Sequence, residues 1–141
     1  MLIEWNPAFE TGVEWLDRDH RQVIDLGNQL YELLNDTHTE AMINGLLDQF
    51  CSYFSHHLVE EEHIMEMIHY PDLDSHRKDH AHIISVLDRF TSRPVDLMIV
   101  DEMSGLLLNW LVVHLSVHES KLAVFIRAGG ANRVQSVTDA A

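Results

Sequence analysis

A chain of 141 residues is long enough to bury one substantial core, and 46 % apolar residues place it among folded sequences. Its formal charge of −14, from 23 acids against 9 lysines and arginines, repels phosphate backbones and anionic lipid, which sets nucleic acid and peripheral membrane partners aside. The single cysteine, Cys51, excludes an internal disulfide framework and fits a reducing, cytoplasmic setting, while the 11 histidines outnumber lysine and arginine together.

No signal-peptide pattern opens the chain. Residues 1–16 hold Trp5, Asn6-Pro7 and Gly12 without helical spacing and read as an extended arm packed by its aromatics. A first helix is expected from Asp17 to Asn35, with Leu16, Val23, Leu26, Leu30 and Leu34 along one side. The second runs from Thr39 to Ile68 around Ile43, Leu46, Phe50, Phe54, Met65 and Ile68. Tyr70-Pro71-Asp72 interrupts the chain, since proline cannot continue a helix but can open the next. The third helix covers Leu73 to Phe90, Ser92-Arg93-Pro94 interrupts again, and the fourth spans Val95 to Arg127. Gly129-Gly130 stop it and leave a small, polar, loose tail. The apolar run from Leu106 to Val117 is broken by Asn109 and His114 and is short for a membrane span. Four amphipathic helices with short connections predict an all-α, antiparallel up-down-up-down four-helix bundle with an extended N-terminal arm.

Each helix carries polar residues where its apolar stripe should continue. His20 falls between Leu16 and Val23, and His57 and Glu61 between Phe54 and Met65. His76 and His80 lie between Leu73 and Ile83, and His114 follows Trp110. One inward histidine is ordinarily a hydrogen-bonded core residue. Five of them with a carboxylate, drawn from four helices, are too many to bury singly, because each unpaired polar group costs on the order of 1–3 kcal/mol. A shared cation satisfies them together. Nitrogen and carboxylate ligands without thiolate favour iron, manganese or zinc, and six or seven ligands exceed one tetrahedral zinc. Two bridged metals fit, iron first among them.

A ferritin-like site needs a Glu-x-x-His pair on each of two helices. Glu60-x-x-His63 and Glu66-x-x-His69 both lie on the second helix, so His63 and His69 read as surface residues, with His38 and His82. His56 is turned off the stripe by about 100°.

The assembled pieces resemble the hemerythrin family: Trp5-Asn6-Pro7 and Gly12, Leu16-Asp17-x-x-His20, His57-x-x-x-Glu61-Glu62-x-x-Met65, Tyr70-Pro71, His76-x-x-x-His80 and Trp110-Leu111-x-x-His114. The resemblance implies a di-iron domain over 1–127, with 128–141 a flexible tail or linker. It implies two iron ions, as Fe2+ or Fe3+, with a bridging oxo or hydroxo group. His76, His80 and His114 would hold one iron, His20 and His57 the other. Glu61 would bridge them with a second carboxylate from the fourth helix, in a dry pocket walled by Leu58, Trp110 and Leu111.

One position departs from the family pattern, His-x-x-x-x-Asp, where this chain has His114-x-x-x-x-Glu119. On a regular helix the residue four places on lies about 40° from His114, and the residue five places on about 140° away. That geometry favours His118, whereas a π-bulge, which inserts one residue, would bring in Glu119. The stripe Met103, Leu107, Trp110, His114 gives way to Leu115, Glu119, Leu122, Ile126, a slip that supports Glu119 as the bridge, with His118 as the substitute.

The function implied is reversible dioxygen binding, as carrier, store or delivery module and not an enzyme in the turnover sense. A dioxygen- or redox-sensing module acting on a partner domain is the second reading. A di-iron oxidase or peroxidase is the third.

Overall fold

In the computed structural model, which describes residues 2–35, 40–92, 94 and 96–130, side chains of the first helix tie the N-terminal arm down. The Asn28 side chain accepts the backbone N–H groups of Leu2 and Ile3 and donates to the Ile3 carbonyl. Trp5 and Phe9 meet edge to face at 5.8 Å across a short 3-10 turn, Pro7–Phe9, that Asn6 caps. Gly12 turns the chain at φ 87, a value glycine adopts freely. Just beyond it, the buried Asp17 carboxylate accepts the Thr11 N–H and hydroxyl and the Gly12 N–H. Helix α1 therefore spans Glu14–Glu32 and starts ahead of the expected Asp17, whose side chain reaches back from the first turn to order the arm.

Helix α2 is Glu40–Met67 and α3 is Leu73–Thr91. The fourth rod is made of α4, Leu97–Val113, a π-helical turn His114–His118, and α5, Glu119–Phe125. It ends in a wide turn, Ile126–Gly130, where Gly129 swings to φ 127. The starts expected at Thr39 and Val95, the tail after Gly130 and the surface position of His38 lie outside the described residues. Two stripe positions shift by one residue: Leu33 and Leu47 are buried where Leu34 and Leu46 were expected. At Leu33 the cause is the 3-10 turn Leu33–Asn35, which tightens the end of α1 and changes its phase.

Proline does not end α2; His69 does, at φ 56. The His69 N–H bonds to the Glu66 carbonyl and the Tyr70 N–H to the Met65 carbonyl, the double closure that satisfies a helix C-terminus. Tyr70 then packs with Met65, Ile68 and Leu16, so this turn is anchored from inside.

Helix α1 packs on α2 and on α4, and α3 packs on the same two. The rods form a four-helix bundle. Consecutive helices run antiparallel, as contacts such as that of His20 with His57, far from the α1–α2 connection, require. Buried apolar residues fall into two clusters. A large one, around Leu30, Phe50, Phe54, Val100, Met103 and Leu107, fills one end of the bundle. A small one, Leu16, Ile64, Met65, Ile68, Tyr70, Leu122 and Ile126, caps the end at the α2–α3 turn. Among the described residues, the buried polar ones other than Thr11, Asp17 and Ser104 are the inward histidines and two glutamates, which form one polar layer in the bundle.

By length and composition alone the rod Leu97–Gly129, 33 residues, could cross a membrane, although its uninterrupted apolar run is short. It is instead one wall of the bundle, with His114 and Glu119 buried at its middle against three other helices.

Candidate metal centre

Helix geometry explains four of the seven positions directly. His57 and Glu61, and His76 and His80, are each one turn apart and so share a face of α2 and of α3. His114 and Glu119 are five apart, and the π turn reconciles them: the Glu119 N–H bonds to the His114 carbonyl, five residues back. Both side chains then point inward, at 3 % and 1 % exposure, while His118 stays at the rim, 20 % exposed. All seven residues expected at the metals come together; the alternative ligand does not join them. His56, His63, His69 and His82 are exposed, as expected.

Glu61 stands at the centre, fully buried, and its two oxygens serve different neighbours. Oε2 lies 3.1 Å from the Nε2 atoms of both His20 and His57. Oε1 lies 2.7 Å from His76 Nε2 and 3.3 Å from His80 Nε2. Glu119 Oε1 is 2.9 Å from His114 Nε2, 3.3 Å from His76 Nε2 and 3.7 Å from His20 Nε2. Two donor sets result, Glu61 with His76, His80, His114 and Glu119, and Glu61 with His20 and His57. They share the one carboxylate.

Charge is balanced internally. Burial works against the imidazolium of His57, yet its contacts with Asp19 and Glu61 outweigh that and push it up to about 10. His76 rises to about 10 in the same way, burial opposing and Glu119 and Glu61 prevailing. Burial would raise the Glu61 carboxyl, but the surrounding histidines hold it well below the ordinary carboxylate range, and Glu119 is lowered too. Without a cation, protons on the histidines neutralise the two acids; a cation takes their place.

A cation fits the donors better than those protons do. Glu61 Oε1, Glu119 Oε2, His76 Nε2 and His80 Nε2 are buried without a hydrogen bond, although some of them are within ion-pair distance of one another. Each atom left without a hydrogen bond in the interior costs about 1–3 kcal/mol. Five imidazoles and two carboxylates, in two sets with a shared member, suit two metals with nitrogen and oxygen preference.

Beside His20 and His57 lies a cavity of about 10 Å³, room for roughly one water-sized sphere. Val23, Phe54, Leu58, Leu111 and Leu115 line it, and the Trp110 ring, stacked on His114 at 4.2 Å, forms a further part of the wall. Leu58, Trp110 and Leu111 are the wall residues read from the sequence.

The sequence reading missed three carboxylates around the outside. Asp19 Oδ2 lies 3.3 Å from His57 Nδ1, Glu62 Oε2 3.2 Å from His80 Nδ1, and Asp79 Oδ2 2.6 Å from His114 Nδ1. Each directly flanks an inward residue in the chain: Asp19 precedes His20, Glu62 follows Glu61, Asp79 precedes His80. That adjacency was the available signal.

A family model described as the hemerythrin HHE cation binding domain matches residues 11–126. The chain belongs to the hemerythrin family. A bacteriohemerythrin of Clostridium acetobutylicum is 26 % identical over 120 residues, 81 % of this chain and 93 % of that protein. A myohemerythrin of Theromyzon tessulatum is 26 % identical over 112 residues, 79 % of this chain and 83 % of its own length. The crystal structure of a wild-type hemerythrin superposes with a TM-score of 0.75, covering 85 % of this chain and 94 % of that one. At 24 % identity that likeness speaks for the fold. Within the hemerythrin fold, the histidine and glutamate cluster is a site able to bind metal.

Proposed function

We propose that this hemerythrin-family chain binds dioxygen reversibly at two carboxylate-bridged iron ions, as a carrier, store or delivery protein and not as a turnover enzyme. The observation that carries the reading is Glu61, whose two oxygens face two separate histidine sets in the layer between two apolar clusters. In this assignment His76, His80 and His114 would hold one metal and His20 and His57 the other, with Glu61 and Glu119 as the carboxylates available to both. Iron bound there would supply the electrons taken up by dioxygen. The chain supplies the donors, holds Glu119 inward through the π turn, and keeps water from the two-histidine side with Val23, Phe54, Leu58 and Leu111. The cavity of about 10 Å³ beside His20 and His57, walled by apolar side chains, is where a small ligand would meet the two-histidine metal. We assign the di-iron domain to residues 1–127 and read 128–141 as a tail or linker.

Anaerobic reconstitution with ferrous iron, metal counting and exposure to air test the reading. Two irons per chain and a coloured adduct that bleaches when dioxygen is removed are expected. Immediate, irreversible oxidation would overturn the carrier role and favour redox sensing. Glu119 is the reason to watch for it, since it is one methylene longer than the aspartate of the family pattern.

A further inference from the structure

The outer carboxylates share one construction, used three times. In each, an acid from one helix faces two residues of the next helix. One is a metal-facing histidine and the other lies about one turn away. Asp19 of α1 meets His57 and also accepts the Tyr53 hydroxyl at 3.0 Å. Glu62 of α2 meets His80 and, through its other oxygen, Arg77 Nε at 3.3 Å. Asp79 of α3 meets His114 and stands 3.7 Å from His118 Nε2. His118, excluded from the centre, thus stands beside Asp79 just beyond hydrogen-bond reach.

An imidazole that offers Nε2 to a metal must carry its proton on Nδ1, and an acceptor there fixes both tautomer and ring plane. The clasps are unevenly shared. His80 and His114 are held on the three-histidine side, at 3.2 and 2.6 Å. On the other side only His57 is held, at 3.3 Å; the buried Nδ1 atoms of His20 there and of His76 on the first side have no hydrogen-bond partner, so the clasps stand two to one. The three-histidine set also has one imidazole more than the set of His20 and His57.

Resting on the di-metal assignment above, we infer that Asp19, Glu62 and Asp79 are positioning residues for the metal-bound imidazoles, and that their uneven distribution makes the metal on His20 and His57 the first to leave. Loss of such a partner typically weakens metal binding by about 10–100-fold.

Cobalt(II) serves as the probe: the chain is loaded anaerobically with two equivalents, and transfer to a chelator is followed through the cobalt spectrum. Wild type releases its metals in two phases. Asp19→Leu accelerates the fast phase by about 10–100-fold and Asp79→Leu the slow one. Asp79→Asn, which keeps an acceptor oxygen, restores most of the slow phase, a rescue that a purely structural role would not give. Thermal unfolding of the metal-free chains checks that each variant folds. Should a leucine variant fail to fold, Tyr53→Phe removes one grip on Asp19 without touching the ring, and a several-fold faster fast phase is expected. Release rates indifferent to these changes, an asparagine no better than leucine, or Asp19→Leu acting on the slow phase would overturn the clasps. A wild-type chain that takes up fewer than two cobalt ions would instead overturn the di-metal reading.

Discussion

Helices α3 and the fourth rod each deliver two side chains to the same buried layer, by different means. On α3 the pair is His76 and His80, four apart on an unbroken helix, so regular geometry does the work. On the fourth rod the pair is His114 and Glu119, five apart, and the backbone widens by one residue to bring them together. The apolar residues beyond follow the slip: Leu122 and Ile126 reach the small cap because the π turn has already re-phased the rod. Side-chain spacing and helix period must agree, and where they differ it is the helix that yields.

Giving α3 the spacing of the fourth rod should produce the largest effect. One alanine inserted after Lys78 sets His76 and His80 five apart in a helix with no π turn. Either His80, Ile83 and Leu87 rotate off the core by about 100°, or α3 must form a bulge of its own. Metal content should fall to one ion or none, and urea unfolding of the metal-free chain should show a loss of several kcal/mol, about that of removing two large core side chains. Retention of two metals would mean that either rod accepts a bulge and the fourth is not special.

The residue pair at the π turn comes next. Glu119→Ala should cost affinity at both metal positions by at least about 10–100-fold, while His118→Ala should leave two metals bound with a several-fold faster release. Metal titration of both variants separates them. The reverse outcome would return His118 to the ligand set.

Most of the fold was legible in the sequence because apolar spacing and turn residues both act locally. Proline and glycine marked the helix ends to within a few residues, and the inward histidines stood out because they occupied stripe positions. The start of α1 was misplaced because Asp17 acts outside its own helix, on Thr11 and Gly12. The end of α2 was assigned to Pro71 because nothing in a sequence announces a histidine at positive φ. Asp19, Glu62 and Asp79 escaped for a related reason: each lies off its own stripe and acts on the next helix, so single-helix periodicity does not register it. The π turn was legible only because the family pattern and the stripe slip pointed the same way.

Protonation offers a medium-sized test that links the two rods through His76 and its contacts with Glu61 and Glu119. In the metal-free chain His57 and His76 sit at about 10, above the ordinary imidazole value near 6.5. Their contribution to stability is therefore complete below about pH 6.5 and is lost as pH rises through about 10. Glu61 and Glu119, both lowered, contribute above the usual carboxylate range and lose their contribution as pH falls below it. Urea midpoints of the metal-free chain should decline from pH 7 to 10. Cation binding, which displaces the histidine protons, should tighten over the same interval with measurable proton release. A midpoint that stays flat to pH 10 would show that the two histidines are not protonated in the folded chain.

The smallest effect should come from giving the fourth rod the spacing of α3. Ser116 is exposed in the middle of the π turn, and deleting it sets His114 and Glu119 four apart on a regular helix. Regular geometry would then place Glu119 about 40° from His114, close to where the π turn now holds it, and Leu122 and Ile126 would keep their phase. Metal stoichiometry should stay at two, with a change in metal-free stability of about 1 kcal/mol or less, the range of surface substitutions that disturb no core contact. The one feature placed at risk is His118, whose distance to Asp79 depends on the bulge, so release from the three-histidine side should quicken modestly even though every ligand remains. If the deletion abolishes binding, the π turn sets the ligand geometry itself and does more than absorb an extra residue. An unchanged release rate would instead remove His118 from any share in the grip on Asp79.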